Sequence, residues 1–252
     1  MTDYLLVHGA GQGAWAWGKV WGYMTAPVEH PPRLYPYGKV GKVFPMDLPG
    51  HGTDSNGDTA AVQMEECAQA IIRAVERQEL RDVVLVGHGF AGSLILQAAG
   101  ELPSPPKRVV LIAGIVPGEG KNMLSEFPLS FRSCFQALSW FNSLVGKDLK
   151  LPKNVISQYL CNCLDTMDIV QTIGLFGPLP TRVFKTGVTL GDHHLSSPVT
   201  YIVLTRDLIV PPETQRRMAQ RIPNVELLEF DSCHQVTLHR PKDLADTLDS
   251  FA

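Results

Sequence analysis

The stretch Val83-Val84-Leu85-Val86-Gly87-His88-Gly89-Phe90-Ala91-Gly92 carries the sharpest chemical signal: an apolar run feeds a Gly-x-Gly-x-x-Gly turn that opens into an apolar helix. Such a turn serves two unrelated devices. In a dinucleotide-binding loop, glycines let backbone approach a pyrophosphate; in a nucleophile elbow, Gly-x-Ser-x-Gly, a serine is held on a strained turn. A dinucleotide site needs an acidic residue at a strand end about 20 residues later, and Pro105 and Pro106 stand there instead. The elbow fits better, yet its nucleophile position holds Gly89. Two groups able to move protons follow, first the acid Asp207 in Leu204-Thr205-Arg206-Asp207-Leu208-Ile209-Val210-Pro211 and then His234 in Asp231-Ser232-Cys233-His234. Elbow, acid, histidine is the chain order of one type of nucleophilic triad. A second glycine loop, His8-Gly9-Ala10-Gly11-Gln12-Gly13, lies near the amino terminus.

Each of these residues falls where a strand ends. Residues 4–7 read as a short buried strand closed by His8, and residues 14–24 carry apolar side chains and tryptophans at helical spacing. Pro27, Pro31, Pro32 and Pro36 make 25–41 a loop. Residues 42–46 form a strand leading into a glycine-punctuated loop at 47–54, and 62–80 an amphipathic helix with apolar positions 64, 67, 68, 71, 72 and 75. After the elbow come a helix at 93–100 and an apolar strand at 108–113. Between 117 and 198 the pattern changes to helical patches at 129–145, 153–165 and 166–176, which predicts a helical lid inserted into one domain spanning 1–252. Strand 200–204, helix 211–221, strand 225–230 and helix 241–251 then resume the alternation. The expected architecture is α/β: a doubly wound, mainly parallel sheet with its sites at the carboxyl ends of the strands.

With these landmarks in this order the chain resembles the α/β-hydrolase superfamily. Its opening, Leu6-Val7-His8-Gly9-Ala10-Gly11-Gln12-Gly13-Ala14-Trp15-Ala16-Trp17, is similar to the plant-type branch of methylesterases and hydroxynitrile lyases. The resemblance implies that His234 is the general acid/base and that Asp207 accepts a hydrogen bond from its other ring nitrogen, fixing the tautomer. It implies an oxyanion hole from the backbone N–H groups of Ala10 and Phe90. His8, Gly9 and His88 become supporting loop residues, with His8 bracing its loop and the His88 ring turned away from the nucleophile side. The serine position falls on Gly89. Ser93 and Cys233 are poor replacements, the first pointing down its helix and the second turned to the opposite face from its neighbour. Hydroxynitrile lyases of this branch place Thr or Asn after the first-loop His and often Lys after the catalytic His; Gly9 and Gln235 here argue against cyanohydrin cleavage.

Three functions stay open under that resemblance. His234 and Asp207 could act directly on substrate, or on a water in the space a serine side chain would fill, giving non-covalent hydrolysis, elimination, cyclisation or carbon–carbon cleavage. The fold could serve as a receptor that binds a small molecule unaltered, or be an esterase disabled by a Ser-to-Gly change. Asp207, His234 and the oxyanion loop together favour catalysis, because a receptor has no physical need of all three. Phe127, Phe131, Phe135, Trp140, Phe141 and Phe176 suggest a mostly apolar pocket for an aromatic or polyketide-like substrate, against the alternative that they pack the lid helices. Trp15, Trp17 and Trp21 are expected as packing residues and His51 as loop architecture.

Across 252 residues the net charge is −3 without a basic block, which excludes nucleic acid and anionic membrane as expected partners and leaves a small-molecule substrate. No apolar run approaches the roughly 18 residues of a membrane span, and Met1-Thr2-Asp3 enters a strand directly, so a soluble cytoplasmic protein is expected. Oligomeric state is open, a homodimer included. Cys67, Cys134, Cys161, Cys163 and Cys233 are an odd number and argue against a disulfide framework. Cys161 and Cys163 lack a second Cys/His pair at zinc spacing, and His193 and His194 lack an evident partner. Neither metal nor cofactor is expected.

Overall fold

The computed structural model describes residues 1–26, 40–54, 58–144, 146–188 and 196–252; most of the proline-rich loop, and His193 with His194, lie outside them. Six strands form one sheet in the order β2-β1-β3-β4-β5-β6, with every neighbouring pair parallel. The chain enters on β1 (Thr2–Val7), passes through a 3₁₀ turn at Ala14–Trp17 and α1 (Gly18–Thr25), and lays down β2 (Val40–Met46) on one side. It then returns through α2 (Met64–Arg77) to β3 (Val84–His88) on the other side of β1. That reversal leaves the carboxyl ends of β1 and β3 side by side with their following connections diverging, which is where an open α/β sheet forms a crevice.

Beyond β3 come α3 (Ala91–Glu101) and β4 (Arg108–Ile112). The long β4–β5 connection holds α4 (Leu129–Leu144), the single turn α5 (Lys153–Val155) running into a π-turn at Ile156–Leu160, α6 (Thr166–Leu175) and α7 (Thr181–Lys185). The chain closes through β5 (Val199–Leu204), α8 (Pro212–Ala219), β6 (Glu226–Phe230), α9 (Val236–His239) and α10 (Pro241–Asp249). The expected helices at 129–145 and 166–176 are present, whereas 153–165 divides into the short α5 and its π-turn. α7 and α9 were not anticipated, since one turn is too short for a helical period to show.

The apolar runs of the central strands follow from burial on both faces. Alternate residues divide between two layers: Tyr4, Leu6, Val84, Val86, Val110 and Ile112 pack with Val20 of α1 and Leu244 and Leu248 of α10. Leu5, Val7, Leu85, Val109 and Leu111 pack with Ile71 of α2, Leu94 and Ile95 of α3 and the β4–β5 helices. Tyr4 Oη donates to Leu248 O at 2.7 Å, satisfying a buried hydroxyl while holding α10 to the sheet. No helix among the described residues is long and apolar enough to cross a membrane.

Two glycines let α3 descend onto β3 and β4. Gly89 has φ +56°, a left-handed conformation that strains other side chains, and its N–H and carbonyl are tied to Ile112 O at 2.9 Å and Ile115 N at 2.8 Å. A Cβ on Gly92 would stand 2.8 Å from Gly114 Cα and C and from Ile115 N, all backbone atoms that cannot swing aside. Gly92→Ala is therefore expected to cost about 1–3 kcal/mol as overpacking, seen as a lower urea midpoint at unchanged slope; an unchanged midpoint would contradict this packing.

Candidate active site

Asp207 leaves the end of β5 on a turn whose N–H groups fold back on its own carboxylate. Oδ1 accepts from Ile209 N at 2.9 Å and Val210 N at 3.0 Å, an arrangement that Asp readily forms two and three residues ahead of itself. Oδ2 accepts from Gln215 Nε2 at 3.1 Å and from His234 Nδ1 at 2.7 Å. Both partners of that last contact are buried, at 2% and 7% exposure, so water competes weakly for it. With its proton on Nδ1, His234 turns the Nε2 lone pair toward Gly89. A Cβ on Gly89 would stand 3.3 Å from that Nε2.

Gln215, which no local pattern in the sequence singles out, is a buried partner of Asp207. It lies on the core face of α8, three residues before the buried Met218, and is itself fully buried. Its amide also accepts from Leu204 N at 2.9 Å and donates to Val210 O at 2.7 Å, so one side chain stitches the end of β5 to the Asp207 turn. A glutamine on the apolar face of an amphipathic helix signals that a buried amide needs partners without naming them.

His8, His88 and His51 brace loops. His8 donates from Nδ1 to Gly9 O at 2.8 Å and accepts at Nε2 from Leu48 N at 3.1 Å, joining the loops after β1 and β2. His88 donates from Nε2 to the His234 carbonyl at 2.9 Å, and its ring lies 4.6 Å from the His234 ring. His51 donates from Nδ1 to Pro49 O at 2.9 Å. Gln12 Oε1 accepts from Gly9 N at 2.9 Å and its Nε2 donates to Gln235 Oε1 at 2.7 Å, so the first glycine loop and the His234 loop are held to each other. Ser93 Oγ donates to Ile115 O at 2.6 Å, away from any nucleophilic role.

Ala10, Gly89, Phe90 and His234 face one cavity of about 60 Å³, whose remaining walls are apolar: Phe127, Phe131, Phe135, Leu151, Leu160, Phe176, Leu179 and Phe184 from the β4–β5 segment, with Ile115, Ile209 and Val210. Phe90 takes helical angles (φ −61°, ψ −23°) immediately before α3, so its N–H belongs to the unpaired amino end of that helix. The segment closes over the site through Gly177 N donating to Gly11 O at 2.7 Å. Of the aromatic residues expected around the pocket, Phe127, Phe131, Phe135 and Phe176 are there; Trp140 and Phe141 instead point to solvent, 66% and 57% exposed on the outer side of α4. Trp17 packs in the core, whereas Trp21 is 45% exposed.

A family model, the alpha/beta hydrolase family, matches residues 4–247. The chain belongs to the α/β-hydrolase family. Among its relatives, Methylesterase 7 of Arabidopsis thaliana is 23% identical over 97% of this chain and 94% of that protein, and the Alpha-hydroxynitrile lyase of the same plant is 24% identical over 99% and 96%. An extracellular alpha/beta-hydrolase from a Paenibacillus species, described as sharing structural and functional homology with tobacco salicylic acid binding protein 2, superposes with a TM-score of 0.83 at 21% identity, covering 98% of each chain. A pyrethroid hydrolase from Sphingobium faniae superposes with a TM-score of 0.75 at 20% identity over 99% of this chain and 96% of that one. At these identities the solved structures speak for the α/β-hydrolase fold.

Burial lowers the pKa of His8 to about 3, and burial with the neighbouring His234 holds His88 well below the usual imidazole range. An unfolded chain protonates both rings below about pH 6.5 while the folded chain resists, so this stability is complete above that value and falls as the pH drops toward the folded pKa values. His8 alone is expected to cost roughly 1.5 kcal/mol between about pH 6.5 and pH 5, with His88 adding in the same direction. Urea unfolding at the two pH values measures the drop, and His8→Gln should shrink it by about that amount; an equal drop in the variant would show that His8 is not a source.

Proposed function

We propose that this α/β-hydrolase is an enzyme acting on a small, largely apolar organic substrate by general acid–base catalysis at His234, without an acyl-enzyme. The observation that carries this reading is the arrangement of Asp207, His234 and Gly89. A buried carboxylate fixes the imidazole, and the free Nε2 faces a position with no side chain, inside an apolar cavity. Nothing at residue 89 can form a covalent bond to substrate. His234 therefore takes its proton either from a water standing where a serine Oγ would be, or directly from substrate. The imidazolium is stabilised by Asp207, and the N–H groups of Ala10 and Phe90 meet the negative charge that develops on a carbonyl or enolate oxygen. His234 then returns the proton to the leaving group.

Relatives named as methylesterases support small organic esters as the substrate class. The relative named as a hydroxynitrile lyase supports a scaffold that also hosts proton-transfer chemistry without hydrolysis. Gly9 and Gln235 keep this chain apart from the lyase pattern. Substrate-sized ligands need several hundred Å³, so the narrow cavity of about 60 Å³ must widen, and the β4–β5 helices act as the lid that does so. Five unpaired thiols suit a reducing, cytoplasmic setting.

The test is turnover of a panel of small methyl and aryl esters, followed by mass spectrometry of both compound and protein. For any compound consumed, His234→Ala and Asp207→Asn should each lower the rate by about 10²–10⁴-fold, and the intact protein should carry no acyl adduct during turnover. An adduct on the wild type, full rates in both variants, or tight binding with the compound recovered unaltered would each overturn the reading. Gly89→Ser places a hydroxyl where the water acts and is expected to slow the same turnover. A burst of ester hydrolysis from that variant would point instead to a disabled esterase.

A further inference from the structure

Cys163 of the β4–β5 segment and Cys233 of the His234 loop meet with His239 among residues that do not line the cavity. Cys163 follows the π-turn before α6, Cys233 immediately precedes His234, and His239 ends α9. Their ligand atoms, two sulfurs and an imidazole nitrogen, all lie within 4.8 Å of one another. We propose that Cys163, Cys233 and His239 bind a thiophilic d¹⁰ cation, Zn²⁺ in the first instance, that clamps the lid to the loop carrying the catalytic histidine. The sequence concealed this set because its members come from two segments seventy residues apart, with none of the local spacing by which zinc sites are read.

The chemistry of the donors favours such an ion. Two thiolates and a neutral imidazole suit Zn²⁺ or Cu⁺ over hard cations. At tetrahedral Zn²⁺ the donors stand about 3.5–3.8 Å apart, given Zn–S near 2.3 Å and Zn–N near 2.0 Å. Closing the cluster thus needs a shift of roughly 1 Å, within the reach of side-chain rotation. Three protein ligands leave one position for water, and Cys163 and His239 are partly exposed. A second observation points the same way. Asn162, whose Nδ2 lies 3.9 Å from Cys163 Sγ, has a buried Oδ1 with no hydrogen-bond partner, an acceptor suited to a metal-bound water. Its Nδ2 already ties this corner to Arg206 O at 3.0 Å, and Ser232 Oγ holds the His239 ring at 3.0 Å. Binding exchanges two thiol protons for the cation: two S–H bonds break, two Zn–S bonds and one Zn–N bond form, two protons leave to solvent, and no electron is transferred. Two thiolates neutralise the divalent ion, so Arg206 and Arg240 beside His239 meet no net positive charge.

The test uses the full chain, reduced with a phosphine and stripped by a chelator, then dialysed against Zn²⁺ and, separately, Co²⁺. The expected result is one equivalent of Zn²⁺ by elemental analysis, a thiolate-to-Co²⁺ charge-transfer band of tetrahedral intensity, and a higher melting temperature with the ion present. Cys163→Ser and His239→Gln alter partly exposed side chains, so folding is expected to survive; each should weaken binding at least tenfold. Stoichiometric Zn²⁺ held equally by both variants would place the ion elsewhere and overturn the proposal. So would absence of uptake by the reduced wild type, including the case in which Cys163 and Cys233 form a disulfide on oxidation yet bind no ion when reduced.

Discussion

One buried carboxylate sets the geometry on which the site depends. Asp207 receives its two oxygens' worth of donors from its own turn, from Gln215 and from His234, so that it can neither rotate nor release the imidazole without leaving buried N–H groups unpaired. The backbone donors come from a turn that Asp makes by itself, but Gln215 comes from α8 and His234 from beyond β6. Two parallel strands have to stand side by side, β5 against β6, before those pieces can meet. The sheet thus reaches the imidazole through a single hydrogen-bond acceptor.

The second constraint is the approach of α3 to the strands beneath it. Gly92 packs against the backbone of Gly114 and Ile115, and Gly89 adopts a conformation that other residues avoid. The turn keeps the sharp shape that would present a side chain to His234, while residue 89 supplies none. Strain at a turn is ordinarily retained where function requires it. With glycine at the apex that strain is largely relieved, and what persists is the space: an opening beside Nε2, roofed by phenyl rings and reached from the amino end of a helix. On the proposed mechanism, a water or a substrate proton would stand there close to a base in surroundings of low polarity, where an oriented N–H group or imidazole acts more strongly than it would in bulk water.

The aromatic roof shows how the same residue type divides by position. Phe131 and Phe135, four apart on α4, lie along one helical face, Phe131 stacked on Phe127 and tilted against Phe135, whereas Trp140 and Phe141 turn away from that face and meet solvent. Composition alone made all of them candidates for the pocket wall. The helical period separates them only once the angle of α4 against the sheet is fixed, because a helix with apolar residues around most of its circumference does not declare which side is inward.

Much of the frame was legible in the sequence for physical reasons that act locally. Apolar runs ended by glycine loops located the strands, since a strand buried on both faces must be apolar throughout, and the order of elbow, Asp207 and His234 aligned them with one family. Short elements such as α7 and α9 escaped because one turn carries no period. Gln215 and the bridge from Gln12 to Gln235 escaped because an amide gives no sign of its partner until burial forces the pairing. The sequence by itself determined that strand and helix alternate, that the turn at residue 89 is glycine, and that an acid and a histidine lie at later strand ends. Only the tertiary structure decided that Asp207 Oδ2 stands 2.7 Å from His234 Nδ1, that the free nitrogen faces Gly89, and that Cys163 meets Cys233 and His239. Those contacts join residues far apart in the chain, and their distances are set by how the sheet twists and how the helices pack on it, which no local pattern encodes.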